Sequence, residues 1–473
     1  MSRILLIKPR FFAGFFHTAI TQPMGLMYVG ASLKQAGHEP RIHDCGIDHQ
    51  DLHVLQRTLR EWKPDFIGLS IIITELEETK RIMKIIRETL PDVPVTFGGP
   101  WPSANPEEAI RDYGADFVVI GEGELVFPEL IDAINRKLPT DVIPGTASPV
   151  NGSVKINEGR YLTEDELNAL PFPAWDLLDH NLYAKMPSFS CVGSRSYMTI
   201  VTSRGCPFKC IYCHQTMGKT FRRRSAQSVL AEMEELRFKY GFKEFEILDD
   251  CFNLDRRRML EILSGLPEKI KDARLHFPNA LRTDMLEPED MTLFKRAGTV
   301  SVHFAIESTS PRLQKMIQKN LDLEKASRAI DASVRAGIYS TGYFMIGFPT
   351  ETFTEASATV DFAVTSRLHR ALFFNPKPFP GTPLAKMATD HMTVTPDLFD
   401  TQKSNYCKDT FNISAMSDEE LQKIFRNAYK RFYMNPARIL RLIVLILRNP
   451  QIFTFKRLIG MFLFTFIPGK FRS

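Results

Sequence analysis

Three cysteines lie close together near the middle of the 473-residue chain, Cys206, Cys210 and Cys213, with the spacing CxxxCxxC. Thiolates are the protein ligands of iron–sulfur clusters, which usually bind four of them. Three thiolates would leave one iron of a cubane open to a small molecule that binds and reacts there. Zinc is the main alternative, but zinc sites favour two CxxC pairs, and this chain has only one. His214 is a strained candidate for a fourth ligand, and three buried, non-functional cysteines are the remaining interpretation.

The remaining composition describes a large globular protein. Hydrophobic residues make up 44% and charged residues 24% of the chain, whose length predicts roughly two or three domains. The net charge of +5 is too small to indicate nucleic-acid binding. The other cysteines are scattered, and the first residues form too short an apolar run for a signal peptide, so we expect a reducing, cytoplasmic environment. These cysteines are Cys45, Cys191, Cys251 and Cys407.

Residues 1–140 alternate short apolar runs with helical patterns. Buried strands separated by helices predict an α/β domain with a doubly wound, Rossmann-like parallel sheet. Ligands of such sheets bind outside the carboxyl ends of the strands. The GxGxxG motif does not follow the first strand, which disfavours a dinucleotide. We predict strands at 4–8, 41–44, 66–70, 93–98 and 117–121 and helices near 25–36, 51–62, 75–89, 105–113 and 124–136.

Residues 141–197 are rich in Pro, Gly, Asn and Ser without sustained periodicity, which indicates a linker. From 198 to 390 strands and helices alternate again in six repeats, too few for a closed eight-stranded barrel. We therefore predict a central partial (β/α)6 barrel with its chemistry at the carboxyl ends of the strands. The predicted strands are 198–203, 244–249, 275–282, 300–307, 340–346 and 371–376, and the helices lie near 226–240, 255–265, 287–297, 323–336 and 352–366.

Residues 391–473 are predicted to form a C-terminal helical region of different character. From Leu421 onward the chain contains no Asp or Glu, while Lys and Arg recur between apolar runs. No run reaches the roughly 18–20 residues that a membrane span needs. A basic, apolar helical region fits a surface that associates with membranes, with Lys and Arg on anionic headgroups. A helical cap packed on the barrel is the alternative.

The segment around the three cysteines reads SRGCPFKCIYCH and resembles the radical S-adenosyl-L-methionine (SAM) superfamily, including the aromatic Tyr212 before the third cysteine. The partial barrel is also similar to that superfamily. The resemblance implies that Cys206, Cys210 and Cys213 are catalytic and hold a 4Fe-4S cluster as its metal ligands. It implies that SAM chelates the open iron, and that one electron from the cluster cleaves SAM to a 5′-deoxyadenosyl radical that abstracts hydrogen from the substrate.

The same resemblance assigns the strand ends of the barrel to SAM. Asp249 and Asp250 correspond to the contact with its amino group, and the alternative is that one caps a helix while the other is solvated. Arg282 would face the SAM carboxylate, which suits arginine, or would form a surface ion pair. Glu307 and Ser308 correspond to the ribose contact. The residues assigned to SAM are Tyr212, Asp249, Asp250, Arg282, Glu307, Ser308 and, beside the adenine, Gly347.

The N-terminal domain resembles cobalamin-binding domains, because it contains in order the segments FIGLS, VTFGG, GAD and GEGE. The DxHxxG segment that supplies an axial histidine in some relatives is absent, and His17 is the only imidazole in its place. We expect His17 to be a loop residue and the cobalt to have no protein imidazole. Trp101 is expected to pack in the core or on the corrin face. The resemblance assigns cobalamin to Ser70, Thr74, Gly98, Gly99, Gly121 and Glu122.

Together these motifs predict a cobalamin-dependent radical SAM enzyme. We expect first a methyltransferase that acts on an unactivated carbon of a lipid-like or natural-product substrate, with methylcobalamin as the methyl donor. The alternative is oxidative cyclisation or hydroxylation without methyl transfer, as in the anaerobic magnesium-protoporphyrin ester cyclase. The residues do not separate these two reactions. A non-catalytic corrinoid-binding or sensing module is disfavoured, because a sensor needs no cluster with an open iron.

The expected partners follow from this chemistry. The basic, apolar tail favours an apolar small-molecule substrate, and the cluster requires a reductant such as flavodoxin or ferredoxin. We expect an anaerobic, cytoplasmic protein that associates peripherally with the inner face of the membrane. Nucleic acid is not an expected partner, because the basic residues of the tail alternate with aliphatic runs rather than with stacking aromatic residues.

Overall fold

The structure is a computed structural model that describes residues 1–10, 21–47, 52–184, 186, 188–190, 192–193, 196–213, 217–391 and 412–449. The chain divides into two compact units. The first comprises Met1–Pro187 and Thr216–Gly218, and the second comprises Ser188–Gln215 and Lys219–Ser473. The expectations for His17, His214 and the tail beyond residue 449 lie outside the described residues.

The first unit is built on one sheet. Among the described residues its strands are β1 (Arg3–Lys8), β2 (Glu39–Asp44), β3 (Phe66–Ser70), β4 (Val95–Gly98), β5 (Phe117–Val119), β6 (Thr146–Val150) and β7 (Ser153–Ile156). Their order is β2-β1-β3-β4-β5-β6-β7. Neighbours from β2 to β5 are parallel, and β6 and β7 pair antiparallel at one edge. The predicted doubly wound parallel sheet is confirmed for the first five strands.

Both faces of this sheet are buried, as parallel sheets require. Along β1, Leu5 and Ile7 join one hydrophobic cluster, while Ile4 and Leu6 join the other. The helices that cover the faces and connect the strands are α1 (Met24–Gln35), α2 (Leu52–Trp62), α3 (Leu76–Thr89), α4 (Pro100–Ala104), α5 (Pro106–Arg111), α6 (Gly123–Asn135), α7 (Glu164–Ala169) and α8 (His180–Tyr183).

The segment expected to be a linker contains β6 and β7, which extend the first sheet. The two strands form a hairpin around Asn151 and Gly152, whose φ angles of 49° and 79° suit a two-residue turn. The Asn-Gly pair is a sequence signal for a hairpin turn, but it is easily overlooked in a segment that is rich in Asn and Gly throughout. The four residues of β7 are largely exposed, so the strand has no apolar alternation that would reveal it.

The second unit contains a parallel sheet in the shape of a partial barrel. Its described strands are β8 (Met198–Ile200), β9 (Ser203–Arg204), β10 (Arg222–Arg223), β11 (Glu244–Ile247), β12 (Arg274–Leu281), β13 (Thr299–Glu307), β14 (Tyr339–Met345) and β15 (Arg370–Phe374). Six of them lie in the order β15-β14-β13-β12-β11-β8, all neighbours parallel. Each strand–helix repeat therefore adds the next strand beside the last, which confirms the predicted (β/α)6 arrangement.

Helices cover the outside of this barrel and continue beyond it. Arg438 is 2% exposed, and its guanidinium donates hydrogen bonds to the carbonyl oxygens of Leu368, Phe432, Ala363, Val364 and Ser366. The described helices are α9 (Ala226–Phe238), α10 (Arg256–Lys269), α11 (Asp290–Arg296), α12 (Pro311–Met316), α13 (Leu323–Arg335), α14 (Phe353–Thr365), α15 (Pro383–His391), α16 (Asp418–Tyr433) and α17 (Pro436–Arg448).

The two C-terminal helices differ in how they are covered. In α16, Leu421, Ile424, Ala428 and Phe432 are buried, and Phe432 packs beside Phe373 of β15. This helix is therefore the cap on the barrel that the sequence offered as an alternative. In α17 the apolar side chains are mostly exposed. Within the described part of the chain, no helix combines the length and apolar character needed to cross a membrane.

Candidate functional site

The three cysteines lie between β9 and β10. These two strands pair antiparallel, with Arg204 opposite Arg222, so both ends of the cysteine segment are fixed by backbone hydrogen bonds. Within the segment the Cys213 amide donates to the Cys210 carbonyl oxygen at 3.2 Å, which closes a tight turn. The structure thus places Cys206, Cys210 and Cys213 on one short loop, as the spacing predicts.

The cysteine thiols influence one another's ionisation. Burial, followed by the neighbouring Cys210 and Cys206, raises the pKa of Cys213 to about 11. Burial also raises the pKa of Cys206. Thiols of this kind release their protons when a metal binds. Among the described residues, no group of three or more His, Cys, Asp or Glu side chains is arranged to hold a single metal ion.

The cysteine loop is fixed to the barrel through Ile211, which is 2% exposed. Its amide donates to the Ile317 carbonyl oxygen at 3.2 Å, and its own carbonyl oxygen accepts from the Leu384 amide at 3.1 Å. The side chain packs with Ile317, Leu384, Leu313 and Phe348 in one hydrophobic cluster. One apolar residue between two cysteines therefore sets the position of the loop.

Tyr212 and Glu307, both assigned to SAM by the resemblance, contact each other in the structure. The Tyr212 hydroxyl donates to Glu307 Oε1 at 3.2 Å, and Lys319 Nζ donates to the same oxygen at 3.0 Å. The second carboxylate oxygen, Oε2, is buried without a hydrogen-bond partner. Buried carboxylate oxygens normally have partners, so this one fits a ligand hydroxyl such as those of the SAM ribose. Lys319 belongs to no motif, and no signal in the sequence identifies it.

Asp249 and Ser308 were also assigned to SAM, but internal hydrogen bonds engage both. The buried Asp249 carboxylate accepts from the Thr202 amide at 2.6 Å, from the Thr202 hydroxyl and from the Ser203 hydroxyl at 2.6 Å. Asp249 thereby braces the start of the cysteine segment. The Ser308 hydroxyl accepts from the Ser310 amide at 3.2 Å, at the start of α12. The structure does not bring these two side chains to the open face.

Asp250 is exposed and lies within electrostatic range of the cysteines. The protein atoms packed around its carboxyl, and after them the Asp249 carboxylate, raise the pKa of Asp250, while a hydrogen bond from the Gly205 amide lowers it. The capping alternative does not apply, because Asp255 itself caps α10 by accepting from the Arg258 amide at 3.0 Å. Asp250 is thus the carboxylate of the pair that can meet a ligand's amino group.

The Arg282 guanidinium is held inside the protein rather than at the surface. Its Nε and Nη2 atoms donate to the Asp284 carboxylate at 2.9 and 3.2 Å, and Nη2 also donates to the Lys319 carbonyl oxygen at 2.8 Å. The guanidinium carbon lies 3.9 Å from the centre of the Phe208 ring in the cysteine loop. Arg282 therefore supports the cysteine loop, and its contact with a SAM carboxylate stays a prediction.

Gly347 forms a tight turn after β14, with a φ of 105°. A Cβ at this position would come within 2.5 Å of Asn375 Nδ2, so the turn requires glycine. The amides of Gly347 and Phe348 donate to Glu351 Oε2 at 2.5 and 3.0 Å. Burial raises the pKa of Glu351 to about 7. Sequence reasoning did not single out Glu351, although it follows the Gly-Phe-Pro turn at the spacing of a local hydrogen bond.

The inner face of the barrel is partly open to solvent. Along the carboxyl halves of β14 and β15, side chains alternate between buried and half-exposed, and Ala305 of β13 and Leu248 just after β11 are also half-exposed. The buried set packs outward, as Phe344 does against Phe362 of α14 and Phe373 against Tyr429 of α16. The half-exposed set therefore lines the interior. It comprises Leu248, Ala305, Tyr343, Met345, Leu372 and Phe374.

The first unit has a close-approach site at the ends of β3 and β4. Gly99 has a φ of 97°, and a Cβ there would lie 2.9 Å from the backbone nitrogen and oxygen of Ile71 and 3.2 Å from Ser70 Oγ. Gly98 pairs with Ser70 in the parallel register. Nearby on the chain, Thr74 Oγ1 is buried without a partner. A glycine cradle beside an unmatched hydroxyl fits the polar tail of a bound cofactor.

The next strand end, after β5, differs from the expectation. The Gly121 amide donates to Ser103 Oγ at 3.0 Å, and the Glu122 carboxylate accepts from the Leu162 amide at 2.6 Å. Glu122 is buried and fixes the segment after β7 instead of facing a ligand. Trp101 is 6% exposed and packs edge-on against Tyr113 with the ring centres 4.9 Å apart. It therefore fills the core.

Two protein-family models match segments of this chain. Residues 18–131 match the B12 binding domain. Residues 200–363 match the radical SAM superfamily. The first match covers β2 to β5 of the N-terminal sheet with Gly99 but not β1. The second covers the cysteine loop and the barrel from the end of β8 into α14.

Similar proteins extend over most of the chain. An uncharacterized methyltransferase of Pyrococcus horikoshii is 29% identical over 89% of this chain and 89% of its own length. Cytidylyl-2-hydroxyethylphosphonate methyltransferase of Streptomyces wedmorensis is 28% identical over 80% of this chain and 79% of its own. The anaerobic magnesium-protoporphyrin IX monomethyl ester cyclase of Rubrivivax gelatinosus is 25% identical over 92% of this chain and 78% of its own.

Solved structures share the fold. The radical SAM methyltransferase TsrM of Kitasatospora setae superposes with a TM-score of 0.68 at 20% identity, covering 82% of this chain and 76% of that one. The cobalamin-dependent radical enzyme OxsB gives a TM-score of 0.67 at 18% identity, covering 88% of this chain and 58% of that one. This chain thus combines a B12 binding domain with a radical SAM domain, whose barrel carries the three-cysteine loop.

Proposed function

We propose that this protein is a cobalamin-dependent radical SAM methyltransferase that transfers a methyl group to an unactivated carbon of an apolar substrate. The observation that carries the proposal is the meeting of the cysteine loop with Glu307 at the carboxyl end of a barrel strand, in a chain that also holds a B12 binding domain. The relatives named methyltransferases, which match over most of their length, support methyl transfer.

The residues present fit the three cofactors of this chemistry. When bound, the 4Fe-4S cluster and SAM supply a 5′-deoxyadenosyl radical, and cobalamin supplies the methyl group. Cys206, Cys210 and Cys213 would hold the cluster, and their loop leaves no fourth cysteine nearby in the sequence. Glu307 would accept from the ribose through its unmatched oxygen, and Asp250 would bind the amino group.

The N-terminal unit would bind cobalamin at its strand ends. Gly98 and Gly99 leave room for the backbone to approach the nucleotide tail, and Ser70 and Thr74 offer hydroxyls there. These residues position the cofactor and take no part in bond making. Nothing in this arrangement requires an axial histidine from the protein.

The inner face of the barrel supports an apolar substrate. Its half-exposed side chains are aliphatic or aromatic, and Tyr343 is the member with a hydroxyl. That hydroxyl donates to the Pro278 carbonyl oxygen at 2.9 Å and meets His303 Nδ1. An apolar wall with a single polar group suits a hydrocarbon-rich molecule with few polar substituents.

Oxidative cyclisation without methyl transfer is the second candidate. It is favoured by the 25% identity to the anaerobic cyclase, which extends over 92% of this chain. Both reactions use the same cluster and the same radical, so the cysteine loop does not distinguish them. The fate of the SAM methyl group does.

Anaerobic incubation with methyl-labelled SAM, a reductant and a lipid extract tests the proposal. We expect label in a product whose mass increases by one methylene, together with 5′-deoxyadenosine. A variant with Cys206, Cys210 and Cys213 changed to Ala is the control and should form neither product. A product without label that has lost hydrogen would instead favour the cyclase reaction, and SAM cleavage by the control variant would contradict both.

The partners of the reaction are also proposals. A flavodoxin or ferredoxin would deliver the electron in the cytoplasm. The exposed apolar side chains of α17 and the basic tail support peripheral binding to an anionic membrane surface, where an apolar substrate would be found. The exposed members on α17 are Ile439, Leu440, Ile443, Val444 and Leu447, which are between 38% and 75% exposed.

A further inference from the structure

Lys319 is a buried cation in the turn after α12, with 7% of the residue exposed. Its ammonium donates to Glu307 Oε1 at 3.0 Å and lies 3.4 Å from the Tyr212 hydroxyl oxygen. Its carbonyl oxygen accepts from Arg282 at 2.8 Å. One residue thus contacts both Glu307 and the side chain that supports Phe208 of the cysteine loop. Lysine side chains are almost never fully buried unless they are paired, so a buried and paired lysine at this position suggests a functional role.

The turn around Lys319 is held in a strained conformation. Gln318 and Asn320, on either side of it, have φ angles of 54° and 49°, and Glu307 has a φ of 65°. Non-glycine residues adopt such angles at a cost of about 1–3 kcal/mol each and keep them only where the surroundings enforce them. Strain at Glu307 and on both sides of Lys319 is typical of a functional site rather than of a surface turn.

Gln314 supplies the enforcing contacts. Its side-chain nitrogen donates to the carbonyl oxygens of Ile306 at 3.0 Å and Ser308 at 2.5 Å, the two neighbours of Glu307. Its side-chain oxygen accepts from the Leu321 amide at 3.0 Å, just after the turn. A single buried amide therefore fixes the backbone of Glu307 and of the Lys319 turn relative to each other.

The same turn touches the cysteine loop at its centre. The Ile317 carbonyl oxygen, two residues before Lys319, accepts from the Ile211 amide at 3.2 Å. Tyr212 follows Ile211 and reaches Glu307 with its hydroxyl. A displacement of the turn would consequently move the loop and the carboxylate together.

We propose that Lys319 is a positioning residue that holds the Glu307 carboxylate by one oxygen, leaves the other oxygen for the ribose hydroxyls of SAM, and links this acceptor to the cysteine loop. The inference rests on the proposed function and deepens it. A buried carboxylate without a cation pays a large desolvation penalty, and the Lys319 ammonium offsets it. Hydrogen bonds to a charged acceptor are stronger than those to a neutral one, so the ion pair increases the affinity for the hydroxyls.

The test measures SAM affinity by equilibrium dialysis on anaerobically reconstituted protein, with iron content determined in parallel. Lys319→Met should bind SAM about tenfold more weakly or worse, because a hydrogen bond to a charged group is lost. Its iron content should match the wild type, because Ile211 still fixes the loop. Lys315→Met, at an exposed lysine of α12 four residues before Lys319, is the matched control and should leave SAM affinity unchanged. Lys319→Arg, which retains the charge, should recover part of the affinity.

A SAM analogue whose ribose lacks both hydroxyls separates positioning from general destabilisation. The wild type should prefer SAM to the analogue, and Lys319→Met should lose this preference. Should Lys319→Met not fold, the double variant Lys319→Met/Glu307→Gln removes both buried charges and should bind SAM as weakly as Glu307→Gln alone. Wild-type affinity and preference in Lys319→Met, or a double variant much weaker than Glu307→Gln, would overturn the inference. A wild-type protein that holds no iron and binds no SAM would contradict the proposed function instead.

Discussion

Glu351 shows how burial and hydrogen bonding act in opposite directions on one carboxyl group. The residue is fully buried, and burial is the larger effect, so its pKa rises to about 7 although the amides of Gly347 and Phe348 stabilise the charged form. The second oxygen, Oε1, is buried without a partner. The turn beside the predicted adenine position therefore rests on a group that changes charge near neutral pH.

The raised pKa of Glu351 predicts a pH-dependent stability. Between the ordinary glutamate pKa and about 7 the folded state holds a proton that the unfolded state has lost, so the stability falls as the pH rises through this window. We expect the wild type to lose on the order of 3 kcal/mol relative to Glu351→Gln between pH 5 and pH 8. Chemical unfolding of both proteins across this range measures the difference.

Glu355, one turn further along, is the matched control. Arg312 lowers the pKa of Glu355 to about 2, so this group stays ionised throughout the window. The stability difference between the wild type and Glu355→Gln should therefore not change from pH 5 to pH 8. A flat profile for Glu351→Gln as well would contradict the raised pKa.

The predictability of the site at the residue scale follows from how each residue signals its role. The cysteine loop is predictable from the fixed spacing of its cysteines, and Glu307 is predictable from its position at the end of a strand. The internal hydrogen bonds of Asp249 and Glu122 are not predictable from the sequence, because tertiary packing brings their partners, Thr202 and Leu162, to them. Lys319 is a single residue without a motif, and only the fold shows that it pairs.

At the scale of elements, the end of β4 depends on glycine for two separate reasons. Gly99 has a positive φ, and its missing Cβ lets the backbone of Ile71 and the side chain of Ser70 approach closely. The strand predictions for the parallel part of the sheet rest on apolar runs and hold in the structure. The β6–β7 hairpin was not predicted, because its strands are short and exposed and an Asn-Gly turn is their main signal.

The variant Gly99→Ala tests the cradle. The added Cβ must displace the backbone of Ile71, so we expect the affinity for cobalamin to fall about tenfold or more, as for other backbone shifts at a binding site. Equilibrium dialysis with cobalamin, followed by its visible absorption, measures this loss.

Gly37→Ala separates the backbone strain from the lost space. Gly37 also has a positive φ, of 82°, but nothing lies within 4 Å of an added Cβ. Gly37→Ala should lose about 1 kcal/mol of stability from the φ angle alone, and Gly99→Ala should lose more because its Cβ also meets the Ile71 backbone. Only Gly99→Ala should lose cobalamin. Equal cobalamin affinity in the two variants would contradict the proposal that the glycine cradle at Gly99 binds cobalamin.

At the scale of the whole molecule, the two C-terminal helices differ in how much of their apolar surface is covered. The fold class and the order of the domains are predictable from alternating runs and two motif sets. The sequence does not show which of α16 and α17 packs on the barrel, because both helices are amphipathic. Only the packing in the structure shows that α16 is covered. The exposed apolar face of α17 is the surface that would contact a membrane in the proposed function.

We expect the protein to bind anionic vesicles through α17. Leu440 and Leu447 are 62% and 75% exposed, and Leu440→Ser/Leu447→Ser should weaken binding to phosphatidylglycerol vesicles by about tenfold, because less apolar surface enters the interface. Binding of the wild type should decrease as salt screens the basic side chains. Co-sedimentation with vesicles measures both effects.

Leu138→Ser, at a position that is 54% exposed in the first unit, is the control and should bind vesicles as the wild type does. Neutral phosphatidylcholine vesicles should bind the wild type weakly. Unchanged sedimentation of the α17 variant would exclude this helix as the contact surface.

The contacts of Arg438 tie the tail to the barrel in a way that restricts how the chain can vary. Its guanidinium is the donor for the last carbonyl groups of α14 and for Leu368, which immediately precedes β15. A homologue that lost α17 would have to supply another cation at this edge or leave several main-chain oxygens unsolvated and unmatched. Substitutions in α17 should therefore be tolerated on the side of the helix that faces away from Arg438, and those that displace this arginine should destabilise the barrel edge.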